Sequence, residues 1–387
     1  MLAAIAGGRL QGVELACLAR KAGWQTLILD RDPYAPALGI GDRFVRLDLE
    51  RMDDLDKACR GVDILIPALE DEVVLDKLVR WGRERGIPVA FDPAAYVVTS
   101  SKTASNRLFA SLGIAFPDPW PACGFPVVAK PSNASGSEGV AVLRSPEDLQ
   151  ACFPQGVPGR DWVLQQYLEG PSYSLEVIGR PGSYVPLVCT ELFMDAAYDC
   201  KAVAAPCGLS PERLRELDAL GVALAEAIRL NGLMDVEVIL HGGQFKVLEI
   251  DARFPSQTPL AVHAATGCNM LTMLGMLFLS GQSPPRPSPV AIRGVRFQHI
   301  RVTPRAIFVE GEHIMAQAGP LRRVAGFYGA DEAITNYREG AREWAATLIV
   351  TGATREDADT RCGRVLRTIQ DRCAIETIVD RNPEEPA

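Results

Sequence analysis

Two short apolar segments joined by a pair of glycines constrain the fold of this chain most strongly. The segments Met234–Leu240 and Gln244–Ile250 have the composition of β-strands, and the glycines at 242 and 243 are a hairpin signal. A connection this short joins neighbouring, antiparallel strands. The chain therefore contains a sheet in which these two strands lie side by side.

Acidic residues interrupt both strands. Glu237 lies between two valines in the first strand, and Glu249 and Asp251 share one face of the second because strand side chains repeat every two residues. Converging carboxylates raise one another's pKa, and buried acids are rarely left unpaired. Since Mg2+ prefers oxygen ligands, we predict a metal site formed by these three acids. Arg253, two residues on, can then reach a transferring phosphoryl group. The alternative is an edge hairpin whose acids are solvated.

A lysine followed by a loop of small residues forms the second motif. Lys130 ends the predicted strand Val127–Lys130, and the sequence from Pro131 to Val140 is rich in serine and glycine. Small residues expose successive backbone N–H groups that can close over phosphate oxygens, and the lysine supplies a point charge. We predict a phosphate-binding loop here, with a plain hairpin loop as the alternative.

The N-terminus alternates strand, glycine turn, helix and strand. Leu2–Ala6 and Gln25–Leu29 are predicted strands, and Val13–Lys21 is a predicted helix. The turn Gly7–Gly12 lies before the helix, and Asp30 ends the second strand, where it could accept a ribose hydroxyl. The spacing is G-G-x-x-x-G instead of G-x-G-x-x-G. A dinucleotide site, a small-ligand loop and a simple strand-to-helix turn therefore all stay open.

The order of elements predicts an α/β protein of three parts. A chain of 387 residues is long enough for two or three domains. We predict an N-terminal doubly wound parallel-sheet domain over residues 1–97, followed by two α+β subdomains over residues 98–185 and 186–387. The first subdomain is a small lid with a connecting helix, and the predicted strands Tyr173–Ile178 and Tyr184–Cys189 belong to it.

Net charge and cysteine content limit the classes of binding partner and the cellular compartments that fit this chain. The formal net charge is −8 and the pI is about 5.3, whereas binding to a nucleic-acid backbone needs clustered Lys and Arg. Ten cysteines are scattered without a C-x-x-C pair, which is typical of a reducing compartment. No stretch reaches the roughly 18 apolar residues of a membrane span. We expect a cytoplasmic protein with small-molecule partners, no nucleic acid and no membrane.

Together these motifs resemble the ATP-grasp superfamily, whose motifs they follow in order from Lys102 to Arg253. The resemblance implies a pre-ATP-grasp domain at the N-terminus and two grasp subdomains that close on ATP and two Mg2+ ions. The residues that it assigns to the nucleotide are Lys102, Lys130, Ser137, Gln165, Gln166, Tyr167 and Leu168. Those assigned to the metal are Glu237, Glu249 and Asp251. Those assigned to catalysis are Arg253 and Lys130. Gln165 stands where Glu is usual, and Asp251 where Asn is frequent, but both keep an oxygen acceptor.

A narrower resemblance is to the ligases of pyrrolysine biosynthesis, which join 3-methylornithine to L-lysine. It is carried by the glycine turn, by residues 169–177 and 198–201, and by the run from Glu249 to Pro259. It implies that ATP phosphorylates the carboxylate of (3R)-3-methyl-D-ornithine and that the ε-amine of L-lysine attacks the acyl phosphate. The positions implied for L-lysine are Leu10, Gln11 and Glu70. Those implied for methylornithine are Ser172, Tyr173, Ser174, Phe254, Pro255, Ser256, Gln257, Thr258 and Pro259.

Other functions remain as alternatives. Another ATP-grasp amino-acid ligase, or a carboxylase-like relative that uses bicarbonate, would share the motifs. A non-catalytic nucleotide sensor would keep the phosphate loop and the acids. A nicotinamide-dependent oxidoreductase would explain the glycine turn and Asp30, but it leaves Lys130 and the three acids without a task. For the preferred ligase the sequence does not identify the base that deprotonates the amine; Asp199 is one candidate for it, and a homodimer is one candidate assembly.

Overall fold

The computed structural model describes residues 1–134, 136–157, 159–285 and 292–383. Ser135, within the predicted phosphate loop, and the last four residues of the predicted third part lie outside the described residues. Within these ranges the chain forms three sheets of four, three and twelve strands.

A parallel sheet forms the N-terminal part, as predicted. Its strands run in the order β3-β2-β1-β4, and all neighbours are parallel. β1 and β4 are apolar and almost wholly buried, as expected for parallel strands covered on both faces. The predicted strand Pro88–Phe91 makes only one bridge, between Leu65 and Val89. The elements of this part are β1 (Leu2–Ala6), α1 (Leu10–Lys21), β2 (Gln25–Asp30), β3 (Arg43–Arg46), α2 (Leu55–Ala58), β4 (Ile64–Pro67) and α3 (Glu72–Arg85).

The lid is a three-stranded antiparallel sheet in the order β6-β5-β7. Its buried apolar cluster is small, with Val127, Ala129, Leu143, Phe153 and Leu164 as its buried members. Two helices lead into it from the parallel sheet. The elements are α4 (Pro93–Thr99), α5 (Lys102–Leu112), β5 (Val127–Pro131), β6 (Ala141–Leu143), α6 (Pro146–Cys152) and β7 (Trp162–Gln166).

The third sheet has twelve strands, nine of them in the order β13-β12-β8-β10-β11-β14-β18-β17-β16. Of the remaining strands, β9 pairs with β8, β15 pairs with β14 and β19, and β19 with β15. The elements are β8 (Ser172–Arg180), β9 (Ser183–Pro186), β10 (Thr190–Met194), β11 (Cys200–Ala205), α7 (Pro211–Ala227), β12 (Gly232–His241), β13 (Gln244–Asp251), α8 (Thr258–Thr266), α9 (Met270–Leu279), β14 (Gly294–Val302), β15 (Ala306–Val309), α10 (His313–Ala316), β16 (Arg322–Ala325), β17 (Glu332–Thr335), β18 (Trp344–Gly352), α11 (Arg355–Cys373) and β19 (Thr377–Asp380).

The positions of β8 and β9 correct the sequence analysis, which places them in the lid within residues 98–185. β8 instead pairs with β12 along Ser172–Gly179 and so lies inside the large sheet. The apolar face of β8 explains the difference. Tyr173, Leu175 and Val177 pack on the buried face of β12 and on α7, a larger apolar surface than the lid offers.

The N-terminal part and the large sheet share one hydrophobic cluster. Residues of β1 and α1 lie in the same buried cluster as residues of α8, α9, β14 and α10. Polar contacts reinforce it, because the side-chain amide of Asn269 donates to Leu18 O at 2.9 Å and Leu260 N donates to Glu14 Oε2 at 2.9 Å. No single described helix is long and apolar enough to cross a membrane; α8 and α9 reach that length and composition only as a pair bent by 100°.

Candidate active site

One face of two neighbouring strands, β12 and β13, carries the acidic residues of the site. In the β12–β13 pair, Glu237 lies opposite Glu249 and Asp235 lies opposite Asp251. The sequence analysis expects three acids to converge, and the register brings all three to one face. Asp235 is a fourth acid that it missed, although the two-residue spacing from Glu237 was a readable signal.

Burial raises the pKa values of the acids on this face. Burial and the charge of Glu249 raise the pKa of Glu237 to about 7, while Lys130 opposes the shift. Burial raises the pKa of Asp251 to about 7 as well, against the lowering effect of Arg253. Asp235 is shifted upwards by burial and by Asp251, so its pKa is also well above the ordinary value.

Two oxygens of these acids lack a hydrogen-bond partner among the described residues, Oδ1 of Asp235 and Oδ1 of Asp251. A buried carboxylate oxygen without a partner costs free energy unless a cation or a donor meets it. A set of carboxylate oxygens is also the donor set that Mg2+ prefers. The residues on this face therefore fit a divalent cation.

Arg253 links the acidic face to the N-terminal part. Its Nε lies 2.6 Å from Asp251 Oδ2, and its Nη2 lies 3.1 Å from Glu70 Oε1. These acids keep its pKa above the usual value despite burial. The guanidinium is thus held in place by carboxylates from two parts of the chain, which fixes it for contact with an anion.

Two buried lysines approach the acids from the other side. Lys102, at the start of α5, donates through Nζ to Glu249 Oε1 at 2.8 Å and also to the carbonyl oxygen of Ala134. Lys130, on β5, has a pKa lowered by burial, with Glu249 and Glu237 opposing that shift. Both predicted phosphate-binding lysines therefore reach the acidic face.

A cavity of about 360 Å³ lies between the lid and the large sheet, and we refer to it as the nucleotide cavity. All seven residues predicted to bind the nucleotide line it, among them Lys102, Ser137 and Gln165. Ser137 Oγ donates to Tyr198 O at 2.6 Å, so the loop of small residues contacts the large sheet. Tyr167 and Tyr198 pack edge to face, with ring centroids 6.4 Å apart.

A second cavity of about 140 Å³, the acidic chamber, adjoins the first. Glu237 and Glu249 line both cavities, so they stand at the shared end. The other lining residues are Gly136, Ser137, Ser174, Leu192, Met194, Asp199, Cys200, Asp235, Asp251, Arg253, Pro255, Ser256, Gln257, Thr258 and Glu312.

The predicted methylornithine residues divide between the two faces of the sheet. Ser172 lines the nucleotide cavity and Ser174 lines the acidic chamber, where Ser174 Oγ donates to Glu176 Oε1 at 3.1 Å. Tyr173 does not join them, because successive strand residues point to opposite faces. Its ring packs instead against Phe245 in the hydrophobic cluster beneath the sheet, 6.3 Å between centroids.

The segment after Arg253 is divided in the same way. Pro255 through Thr258 line the acidic chamber. Phe254 belongs to the hydrophobic cluster shared with α1, and Pro259 is buried in the first turn of α8, so neither lines either cavity.

The three residues predicted to hold L-lysine lie outside both cavities. Gln11 Nε2 donates to Glu70 Oε1 at 2.9 Å, so the two residues are neighbours, and that same oxygen lies near Arg253. Leu10 lines a small cavity of about 20 Å³ together with Glu312. In the glycine turn, the backbone N–H of Gly8 already has a partner in the same part of the chain, because it donates to Asp30 Oδ2 at 2.6 Å.

An acid–histidine pair borders the acidic chamber. Asp199 lines the chamber and its Oδ2 lies 2.5 Å from Nδ1 of His313. Asp195 lies beside them, and within the described ranges the three side chains can bring one ligand atom each within 4.8 Å. Sequence reasoning named Asp199 but missed His313 and Glu312, which lie over a hundred residues further along the chain and carry no local motif.

Comparison with known proteins identifies relatives of this chain. Residues 99–257 match the family described as an ATP-grasp domain. The 3-methyl-D-ornithine--L-lysine ligase of Methanosarcina mazei is 31% identical over 368 residues, covering 95% of each chain. The ligase of the same name from Methanosarcina acetivorans is 30% identical over 369 residues, covering 95% of this chain and 97% of that one.

A solved structure of similar fold is the ADP complex of N5-carboxyaminoimidazole ribonucleotide synthetase. Its TM-score is 0.71 at 14% identity, and the match covers 96% of this chain and 97% of the other. At this identity the likeness concerns the fold alone, and it agrees with the predicted order of a parallel-sheet domain followed by two α+β subdomains.

Proposed function

Because this chain belongs to the ATP-grasp family and is an ATP-dependent carboxylate–amine ligase that forms a C–N bond, we propose that it joins an ornithine-type amino acid to L-lysine. The proposed carboxylate substrate is (3R)-3-methyl-D-ornithine, and the proposed acceptor is the ε-amine of L-lysine. The relatives that carry these substrates in their names match along 95% of this chain.

The observation that carries the proposal is the contact between the two cavities. A ligase of this class needs the carboxylate of one substrate beside the terminal phosphate of ATP. The nucleotide cavity and the acidic chamber meet at Glu237 and Glu249, with Lys102 paired to Glu249 at that junction. A carboxylate in the chamber can therefore face a phosphate in the nucleotide cavity. The nicotinamide alternative is disfavoured, because it leaves Lys102, Lys130 and the acids at the junction of the two cavities without a function.

Glu237, Glu249 and Asp251 are proposed to hold magnesium, which when bound offsets the charge of the phosphate oxygens. Lys102 and Lys130 neutralise phosphate charge from the lid side. Arg253 is fixed by Asp251 and Glu70 at the wall of the acidic chamber and is proposed to donate to the acyl phosphate. The lid over the cavity excludes water, which would otherwise hydrolyse that intermediate.

The amine reaches the acyl phosphate from the N-terminal part in this proposal. Glu70 contacts both Gln11 and Arg253, and Arg253 lines the acidic chamber, so an amino acid bound there would lie next to the chamber. Its ε-amine must lose a proton before or during attack. Asp199 lies in the chamber wall and is paired with the half-exposed imidazole of His313, which offers a route for that proton to solvent.

Mass spectrometry of products tests the proposal. The protein is incubated with Mg2+, ATP, L-lysine and a panel of ornithine analogues, and an amide product with equimolar ADP is expected. Replacing the ornithine analogue, the substrate whose carboxylate is activated, by bicarbonate tests the carboxylase-like alternative. Carboxylated product, or no lysine-dependent ADP release with any analogue, would contradict the assignment. Light scattering of the same preparation tests the candidate homodimer.

A further inference from the structure

The acidic chamber has two distinct ends. At one end Glu237 and Glu249 also line the nucleotide cavity. At the other end Ser256, Gln257 and Glu312 also line the small cavity next to α1. A ligand that places its carboxylate at the first end therefore extends its far end towards Glu312.

Six acids line the chamber, and three of them have a cationic partner among the described residues. Asp251 is paired with Arg253, Asp199 is paired with His313, and Glu249 is paired with Lys102. The other three are Asp235 and Glu237, on the proposed metal-binding face, and Glu312 at the far end. Within the described ranges Glu312 has no cationic side chain within 4.0 Å. It accepts from the hydroxyl of Ser256 at 3.2 Å, and the side chain of Gln257 is a second hydrogen-bonding neighbour. Arg253 is the one Lys, Arg or His among the described residues that line the chamber, and it is held at the opposite acids.

A second acceptor at the same end, the side-chain oxygen of Gln257, lacks a hydrogen-bond donor among the described residues. Gln257 is 7% exposed and lines both the chamber and the small cavity. Its backbone has φ of +67°, a conformation that residues other than glycine rarely adopt. A carboxylate and an amide oxygen together form an acceptor site for an ammonium group.

The interior behind Glu312 supplies no cation to it. Glu14, a buried acid close to Glu312, has its pKa raised by burial to about 8, and no Lys or Arg pairs with it in the described part of the chain. Burial raises the pKa of Glu312, with Gln257 and Ser256 opposing the shift, so a bound ammonium would favour its ionised form. A cavity of about 140 Å³ is also larger than the roughly 10–15 Å³ that one water needs.

We infer that Glu312, with the side-chain oxygen of Gln257, binds the terminal ammonium of the amino acid whose carboxylate is activated. This inference rests on the proposed function and adds to it the group that selects a diamino acid. Glu312 would reject amino acids with neutral side chains, because their binding leaves a buried carboxylate without its cation.

The test compares D-ornithine with D-norvaline, which has the same carbon chain without the terminal amine. In the wild type we expect D-ornithine to be strongly preferred. Glu312→Gln should lower kcat/KM for D-ornithine on the order of 10²-fold, leave D-norvaline nearly unaffected, and leave KM for ATP and for L-lysine largely unchanged. Glu310→Gln is the matched control, because Glu310 pairs with Arg301 and lies outside both cavities.

Two results would overturn the inference: equal preference for D-ornithine in wild type and Glu312→Gln, or a wild type that prefers D-norvaline. Glu312→Asp, which keeps the charge and shortens the side chain, carries the test if the Gln variant does not fold. Calorimetric binding of both amino acids in the presence of a nucleotide analogue separates this inference from the proposed function. If no analogue gives lysine-dependent ADP release, the proposed function fails, while selective binding of D-ornithine that Glu312→Gln abolishes still supports Glu312.

Discussion

Glu249 lies where the nucleotide cavity adjoins the acidic chamber. Its side chain lines both cavities, and it accepts from Lys102 at 2.8 Å while lying opposite Glu237 across the strand pair. A carboxylate in this position would hold the proposed metal where negative charge moves from the attacking carboxylate onto the departing ADP. Its contribution should therefore be greater in the transition state than in nucleotide binding.

We predict that Glu249→Gln lowers kcat on the order of 10²-fold or more, as removal of a preorganised charged group does elsewhere. Nucleotide affinity should change far less, because Lys102 and Lys130 remain. Steady-state kinetics and nucleotide titration give both numbers. Glu226→Gln on the exposed side of α7 serves as the control, and near wild-type kcat of the Glu249 variant at saturating Mg2+ would remove this residue from the site.

A second residue-scale prediction concerns Glu14, which is 3% exposed on α1 and accepts from Leu260 N. Burial raises its pKa from 4.5 to about 8. The folded protein therefore binds a proton that the unfolded chain releases between about pH 4.5 and pH 8. The contribution of Glu14 to stability is fully present below pH 4.5 and is lost as the pH rises to about 8.

Glu14→Gln keeps the acceptor oxygen and removes the titration. The variant should match the wild type near pH 4.5 and be more stable above pH 8, by a few kcal/mol at most. Urea unfolding at several pH values measures the difference. Parallel pH profiles for the two proteins would contradict the buried, neutral state of Glu14.

At the scale of elements, β8 decides which residues reach substrate. Its odd-numbered residues lie under the sheet and its even-numbered residues face the site, because side chains alternate along a strand. We predict that Ser174→Ala raises KM for the ornithine-type substrate, since it removes the donor to Glu176. Tyr173→Phe, one residue earlier, should leave that KM unchanged. A larger effect at Tyr173 than at Ser174 would contradict the register of β8.

Elements held together by local sequence were predictable, and elements held by distant pairing were not. The β12–β13 hairpin and the convergence of its acids follow from a turn signal and the two-residue repeat. β8 was assigned to the lid because its neighbours in sequence are there, yet its partner β12 starts over fifty residues later. Tyr173 was assigned to the substrate by motif alone, whereas strand alternation places it in the core.

The same limit applies to the site. Lys102 and Lys130 carry local motifs and reach the acidic face as expected. Glu312 and His313 reach the chamber only through the pairing of distant strands, which no local pattern reports. Asp235 differs from Glu312 and His313, because its two-residue spacing from Glu237 is a local pattern that places both acids on one face of β12.

At the scale of the whole molecule, the N-terminal part and the large sheet are joined at the site itself. Glu70 bridges Gln11 of α1 and Arg253 beyond β13. Glu70 therefore has two tasks, and a substitution there should act on both. This extends the simple expectation that Glu70 serves L-lysine alone.

We predict that Glu70→Ala raises KM for L-lysine and also lowers kcat, because Arg253 loses one of its two carboxylates. A double-mutant cycle of Glu70→Gln with Arg253→Lys should give a coupling energy of about 0.5–3 kcal/mol, as for residues in contact. Glu70→Gln combined with Ser174→Ala should be additive within about 0.5 kcal/mol. Additivity in the first pair would mean that the contact has no functional role.

The cluster that α1 shares with α8 and α9 has a consequence for building chimeras of this enzyme. A simple design would exchange the first seventy residues, as a cassette, with those of a relative in order to change the amine acceptor. Trp24 touches the backbone position of Gly275 in α9, and the carbonyl oxygen of Leu321 lies against Gly39, so the outer surface of the cassette is matched to a particular partner surface. A crossover that moves the N-terminal part alone would break that match. Recombination should carry α8, α9 and the residues around Leu321 along with it.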